Sequence, residues 1–201
     1  MSPKASGPRT ADRTRETKET RIRVQLNLDG LGQANVSTGV GFFDHLLSSL
    51  AHHALFDLTI EATGDLEVDE HHTVEDVSLV LGEALAAALG DRAGIVRFGE
   101  ASVPMDEALA TAIVDISGRP YAVVEIPFRS DRVGTLPTQL VEHSLESFAR
   151  TAGLTLHLRA AGRNDHHVAE AAFKALARAL RAAVALDERR VGIPSTKGSL
   201  A

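Results

Sequence analysis

The chain has 201 residues, 44% of them hydrophobic and 24% charged, a balance ordinary for a soluble protein that buries on the order of 70% of its unfolded surface. Its formal net charge of −6 argues against a nucleic-acid partner, since such binders are usually basic. Without cysteine there are no disulfides or thiolate ligands, no apolar run reaches the roughly 18 residues that span a membrane, and no secretory signal is visible, so a cytoplasmic location is expected.

Residues 1–18 are polar, rich in Ser, Thr, Pro and charge, and lack apolar periodicity; they read as a disordered or loosely tethered arm. From Arg21 the alternation Ile22, Val24, Leu26, Leu28 predicts a half-buried strand turning at Asp29-Gly30. A second strand is expected over residues 33–38. Gly39-Val40-Gly41 then leads into a helix carrying Asp44-His45, with Leu46, Leu47, Leu50 and Ala51 on its apolar face. A strand over 55–62 follows, and from His71 a helix is sustained by Val77, Leu81, Leu85 and Ala88 as far as Gly90.

Strands are expected next over 95–102, 108–117 and 121–128, with Ser117-Gly118-Arg119-Pro120 as a turn. Helices are expected at about 137–152 and 166–186, with a strand over 154–160 between them. Beyond, Pro194 and two glycines prevent the last helix from continuing. Each half reads as β-β-α-β-α, an α+β arrangement of layered sheets and helices. The halves are placed at 19–94 and 95–190, with a tail at 191–201.

The two halves repeat one another. His71-His72-Thr73-Val74-Glu75 and His166-His167-Val168-Ala169-Glu170 share the pattern His-His-x-x-Glu, each opening a helix. Asp44-His45 and Glu142-His143 stand at matching positions upstream, and Gly64 and Gly162 match after the strands. Residues four apart on a helix nearly eclipse, so His71 can share a ligand with Glu75, and His166 with Glu170. His72 and His167 must aim elsewhere, so each copy can serve two sites. Six matched imidazoles and two carboxylates suit two sites of roughly three His and one Glu, fit for a borderline divalent ion such as Mn, Fe, Co, Ni or Zn. His52, His53 and His157 have no His counterpart and are set aside as metal ligands.

A second group suits an anion. Pro194-Ser195-Thr196-Lys197-Gly198 offers hydroxyls, an ammonium and backbone N–H groups to a phosphate. Arg97 interrupts an apolar strand and Arg119 sits in a turn between two others. Taken with the metal set, these cations suggest a small phosphorylated substrate. Asp106-Glu107 forms an acidic pair near a strand, readable as a solvated turn.

Together, Gly41-Phe42-Phe43-Asp44-His45, both His-His-x-x-Glu copies, Ser117-Gly118-Arg119-Pro120 and Pro-Ser-Thr-Lys-Gly resemble the imidazoleglycerol-phosphate dehydratase family of histidine biosynthesis, in its monofunctional form, over about residues 19–198. The resemblance implies helices sandwiched between two four-stranded sheets. It implies two Mn2+ ions per active site, and a homo-oligomer of 24 subunits built from trimers with active sites at subunit interfaces. The implied ligands are His45, His71, His72, Glu75, His143, His166, His167 and Glu170. Arg97, Arg119, Ser195, Lys197 and Lys174 match phosphate-binding positions, and Glu19, Asp106 and His53 match substrate-proximal ones. The chain departs from the family in Ser48-Ser49, where an Asp-Gln pair is often found, and in Ala54, where Gly is usual.

The implied reaction removes water from imidazole glycerol phosphate to give imidazole acetol phosphate. No carbonyl acidifies the carbon that loses hydrogen, so the substrate's imidazole is the natural electron sink. Metal-stabilised imidazolate character can expel the C3 hydroxyl through a diazafulvene-like intermediate, after which a base takes the C2 proton. Glu19 and Asp106 are the candidate acid–base groups, with Glu170 a weaker one because a metal-bound carboxylate is a poor base. A metal-storage protein and a dinuclear phosphatase are the rivals; neither accounts as well for the cations and the His-rich ligand set.

Overall fold

The computed structural model describes residues 7–200; positions 1–6 of the expected arm and Ala201 lie outside the described residues. The first half runs β1 (Thr10–Glu16), β2 (Thr20–Asn27), β3 (Ala34–Ser37), α1 (Gly41–Ala54), β4 (Asp57–Gly64) and α2 (His71–Leu89). The second runs β5 (Phe98–Met105), β6 (Ala108–Asp115), β7 (Tyr121–Glu125), the short hairpin β8 (Arg132–Val133) and β9 (Leu136–Pro137), then α3 (Thr138–Ala152), β10 (Thr155–Ala161) and α4 (Asp165–Val184). The first half therefore carries one strand more than β-β-α-β-α, and the second three more, two of them the short hairpin.

Both sheets have four strands in the same order, β1-β2-β4-β3 and β5-β6-β10-β7, with β3 and β7 the parallel edges. α1 and α2 cover the first sheet and α3 and α4 the second, while α1 meets α4 and α2 meets α3 across the middle. The helices are thus held between two sheets, and the core fills both sheet–helix layers with side chains such as Ile22, Leu46, Leu85, Leu145 and Leu156. Among the described residues no helix is long and apolar enough to cross a membrane.

The expected disorder of residues 1–18 does not hold for its described part, because Thr10–Glu16 forms β1 along β2. The segment has almost no buried side chain, so apolar periodicity could not reveal it. Its order comes from the backbone ladder, which also covers the edge of β2. Cross-strand charge pairs assist: Asp12 accepts from Arg23 at 2.7 Å and Glu16 from Arg21 at 2.7 Å, exposed pairs that solvent screens to a small contribution.

The strand expected at 95–102 starts later, at Phe98. Arg97 takes a left-handed backbone with φ 79°, and the N–H groups of Val96 and Arg97 donate to Ala185 and Ala183 at the end of α4. The N–H groups of that segment are thus spent on the helix end, while the Arg97 carbonyl accepts from the Ile116 N–H just past β6 at 3.1 Å. The strand continues through Pro104, which an edge strand tolerates because no ladder N–H is needed there.

Two helices touch where a side chain is missing. A Cβ added at Gly82 on α2 would lie 2.5 Å from the Phe148 carbonyl oxygen and 2.8 Å from the Ala152 nitrogen on α3. Elsewhere the loop before β3 depends on Asp57, whose carboxylate accepts from the N–H groups of Leu31 (2.8 Å) and Gln33 (3.0 Å). Those backbone donors hold its carboxyl below the ordinary range. Asp57→Ala should lower stability at neutral pH by about 1–2 kcal/mol. Because the folded value is depressed, the contribution is present above the unfolded carboxyl value and is lost as pH falls through the folded one. Urea denaturation across the acid range should show the wild type and the variant converging.

Candidate metal centres and anion-binding residues

Four helix starts carry the candidate ligands, and the acidic neighbours of two of them pin those starts. Asp44 accepts from the Thr38 N–H (2.9 Å) and hydroxyl (2.6 Å), and Glu142 accepts from the Ile126 N–H (2.9 Å). In each Asp/Glu-His pair the acid anchors the incoming loop and leaves the histidine free to turn toward the facing helix.

Six of the eight candidate ligands gather into two triads. His45 from α1 meets His166 and Glu170 from α4, and His143 from α3 meets His71 and Glu75 from α2; within each triad the donor atoms lie within 4.8 Å of one another. Each triad therefore combines one helix from each half. His45 Nε2 and His166 Nε2 stand 3.0 and 2.8 Å from Glu170 Oε1. In the other triad the distances from Glu75 are longer, 3.7 Å to His71 and 3.6 Å to His143. The ring of Phe42 packs 4.9 Å from His166 and walls one side of the first triad.

The donor set fits a borderline divalent ion, with two imidazoles and one carboxylate converging on one point. His143 Nε2 is buried without a hydrogen-bond partner, which is costly for a polar atom unless something else, such as a cation, meets it. Burial raises the Glu170 carboxyl, but hydrogen bonds from Lys174, His45 and His166 outweigh it and bring it down to about 2. That carboxylate stays ionised at neutral pH and makes a poor proton acceptor.

His72 and His167 belong to neither triad. Their rings stand nearly perpendicular to those of His71 and His166 (82° and 86°), with centroids 6.2 Å apart. His72 Nδ1 lies 3.0 Å from Asp65, and His167 Nδ1 lies 2.9 Å from Glu107. The chain alone is thus one imidazole short, at each site, of the three His and one Glu expected. Glu107 is held to about 2 by His167 and by the N–H groups of Asn164 and Arg163; it is no solvated turn residue. Sequence reading missed Asp65 altogether, because its counterpart after Gly162 is Arg163 and the duplication offers no matching acid.

The candidate substrate contacts fall into separate places. Lys174 reaches Glu170 at 2.6 Å, beside the first triad. Burial lowers the pKa of His53, and the nearby charges of His52, Lys174 and Arg178 lower it further. Exposed Glu19 sits one residue before β2, and exposed Asp106 sits at the β5–β6 turn, its carboxylate 3.9 Å from His167 Nε2. Ser49 Oγ is buried without a partner, so position 49 offers no polar atom outward.

Arg97, by contrast, donates to Asp115 through Nε (2.6 Å) and Nη2 (3.0 Å), and through Nη1 to the Pro194 carbonyl (2.8 Å). It therefore fixes the loop of Ser195 and Lys197 at the Asp115 end of β6. Exposed Arg119 follows the same strand end in a turn closed by Ser117, whose hydroxyl accepts from the Arg119 N–H at 3.1 Å. Glu107 and His167 lie at the opposite end of β6, a strand of eight residues and so about 24 Å long. One chain does not bring the cationic group to its own triads.

The imidazoleglycerol-phosphate dehydratase sequence model matches residues 38–180. The imidazoleglycerol-phosphate dehydratase of Granulibacter bethesdensis is 58% identical over 194 residues, covering 95% of this chain and 97% of the relative. That of Methanothermobacter thermautotrophicus is 55% identical over 192 residues, covering 96% and 98%. Among solved structures, imidazoleglycerol-phosphate dehydratase from Staphylococcus aureus aligns with a TM-score of 0.81 at 36% identity, over 89% of this chain and 99% of that one. The Pyrococcus furiosus enzyme aligns with a TM-score of 0.80 at 38% identity, over 94% and 100%. With near-complete coverage in sequence and in fold, this chain belongs to the imidazoleglycerol-phosphate dehydratase family of hydro-lyases.

Proposed function

We propose that the protein dehydrates D-erythro-imidazole glycerol phosphate to imidazole acetol phosphate in histidine biosynthesis, in the cytoplasm, using two Mn2+ ions per active site in a homo-oligomer. The observation that carries this reading is the pair of matched His-His-Glu triads in a chain of this family. His45, His166 and Glu170 would hold one ion, and His71, Glu75 and His143 the other. When bound, the ions supply Lewis-acid polarisation of the substrate's imidazole.

The remaining geometry favours sites shared between copies. Each triad lacks one imidazole, while His72 and His167 are turned away from the triads beside them. A face-to-face contact between two copies would give every ion its missing ligand: His72 would serve the His45–His166–Glu170 triad of a neighbour, and His167 a neighbour's His71–Glu75–His143 triad. The distance along β6 makes the same demand of the phosphate group. Arg97, Arg119, Ser195 and Lys197 are too far from their own triads for one small substrate to touch both, so a further copy supplies them. Such an arrangement accords with the 24-subunit assembly of trimers implied by the family resemblance.

The chain's own residues divide the work by their settings. Lys174 and His53 stand beside the first triad, where they can orient the substrate. Glu19 and Asp106 are exposed carboxylates next to His72 and His167 and are suited to taking the C2 proton; Glu170, held to about 2 by its hydrogen bonds, is not. Loss of the C3 hydroxyl and the C2 hydrogen gives an enol that becomes the ketone.

Metal-stripped protein should be inactive on imidazole glycerol phosphate and form ketone when Mn2+ is restored. Tight Mn2+ binding without turnover would move the assignment to metal storage, and release of inorganic phosphate would move it to a dinuclear phosphatase.

A further inference from the structure

We propose that Asp65 and Glu107 are positioning residues that orient His72 and His167 as ligands for ions lying outside their own triads. The inference rests on the metal-dependent reading above. Asp65 approaches His72 Nδ1 at 3.0 Å and Glu107 approaches His167 Nδ1 at 2.9 Å. An ionised carboxylate can only accept, so the proton of each neutral imidazole sits on Nδ1. Nε2 is left as a bare lone pair on the far side of the ring, the form a divalent cation requires. Because the carboxylates hold the opposite nitrogen, neither can ligate the same ion. Their role differs in kind from that of Glu75 and Glu170, which lie among the converging nitrogens of the triads.

The duplication sharpens the inference. Asp65 follows Gly64, whereas the residue following the matching Gly162 is Arg163. Glu107 directly precedes β6, whereas the residue directly preceding the matching β2 is Glu19, which makes no hydrogen bond to His72. The same contact is therefore built from non-equivalent positions in the two halves. Repetition of an inherited side chain cannot account for that, while a shared demand on the two rings can. Both carboxylates are also placed by the backbone. Glu107 accepts from the N–H groups of Arg163 (2.9 Å) and Asn164 (2.7 Å), and Asp65 directly follows the last residue of β4. Without such a partner an imidazole divides between tautomers and turns about its Cβ–Cγ bond, so less of it is ready to bind.

Asp65 gives the cleaner test, since its side chain has no hydrogen-bond partner other than His72 among the described residues. The full-length protein is stripped of metal and titrated with Mn2+, with free Mn2+ followed by electron paramagnetic resonance; thermal unfolding of the apo protein is recorded alongside. Asp65→Ala should weaken one of the two ions roughly 10- to 100-fold, with the other ion and the apo Tm unchanged. Asp65→Asn, which keeps an acceptor for Nδ1–H, should recover part of the loss. Glu107→Gln tests the second pair without emptying the pocket that anchors Arg163 and Asn164, and it should weaken the other ion.

His72→Ala separates the two levels of the argument. If it loses one ion while Asp65→Ala binds both as the wild type does, the positioning role is overturned and the metal reading stands. If His72→Ala binds both ions normally, the ligand assignment itself falls, and the positioning role with it. A lowered apo Tm in Asp65→Ala with both ions weakened equally would make Asp65 merely structural.

Discussion

Assemblies of His72→Ala alone, and of His167→Ala alone, should form no detectable ketone, yet particles co-assembled from the two should regain roughly a quarter of wild-type turnover, because random pairing puts the intact faces together at about one contact in four. His72 lies beside the His71–Glu75–His143 triad, and His167 beside the other triad. A contact between two copies thus joins a face containing His72 to a face containing His167. The His167→Ala chain still offers an intact first face and the His72→Ala chain an intact second one, so the mixed contact has every ligand. In an assembly of one variant alone every contact is spoiled, and removing an ion that polarises the substrate costs several kcal/mol of barrier, about a thousandfold or more in rate. Co-expression of two differently tagged copies, followed by tandem purification and assay, measures the effect. If mixed particles stay as dead as their parents, ligands are not exchanged in this way.

Gly82→Ala is expected to destabilise the fold by forcing α2 and α3 apart. The new Cβ would meet the Phe148 carbonyl at 2.5 Å and the Ala152 nitrogen at 2.8 Å, and it would lie 2.1 Å from Thr151 Oγ1, which donates to Leu79 O. The backbone atoms cannot move aside without displacing α3, so the helices must separate. Overpacking of this kind costs about 3 kcal/mol, or roughly 10 °C in Tm for a chain of this length. The separation also reaches the chemistry, because His71 and Glu75 ride on α2 and His143 on α3. On the proposed assignment one ion should be lost and the other, which α1 and α4 would hold, kept. Gly41→Ala, where a Cβ meets nothing within 4 Å, serves as the control; equal behaviour of the two variants would refute the packing argument.

Much of this was readable beforehand, for a definite reason. Metal-type residues at helical spacing, repeated in both halves, marked six imidazoles, four of which the structure gathers into the triads, and alternation disclosed the strands facing the core. What escaped were features with no apolar or repeated signature. β1 is held by backbone pairing and by charges opposite Arg21 and Arg23, so only the complementary signs of Asp12 and Glu16 hinted at it. The late start of β5 depends on a left-handed Arg97, which no pattern marks. The partition of ligands was hidden because it depends on which helices face one another, and that is settled by long-range packing. Asp65 was hidden because the repeat replaces it with Arg163.

Each triad draws its histidine-and-glutamate pair from a helix of one half and its remaining histidine from a helix of the other. A polypeptide of half this length would have neither triad complete, but two such polypeptides docked about a twofold axis would complete both. Joining them end to end turns an encounter governed by mass action into one governed by a fixed local concentration. Occupancy of these triads then no longer falls with dilution of the halves, and the two copies of the ancestral unit become free to diverge, as the unequal placement of Asp65 and Glu107 illustrates.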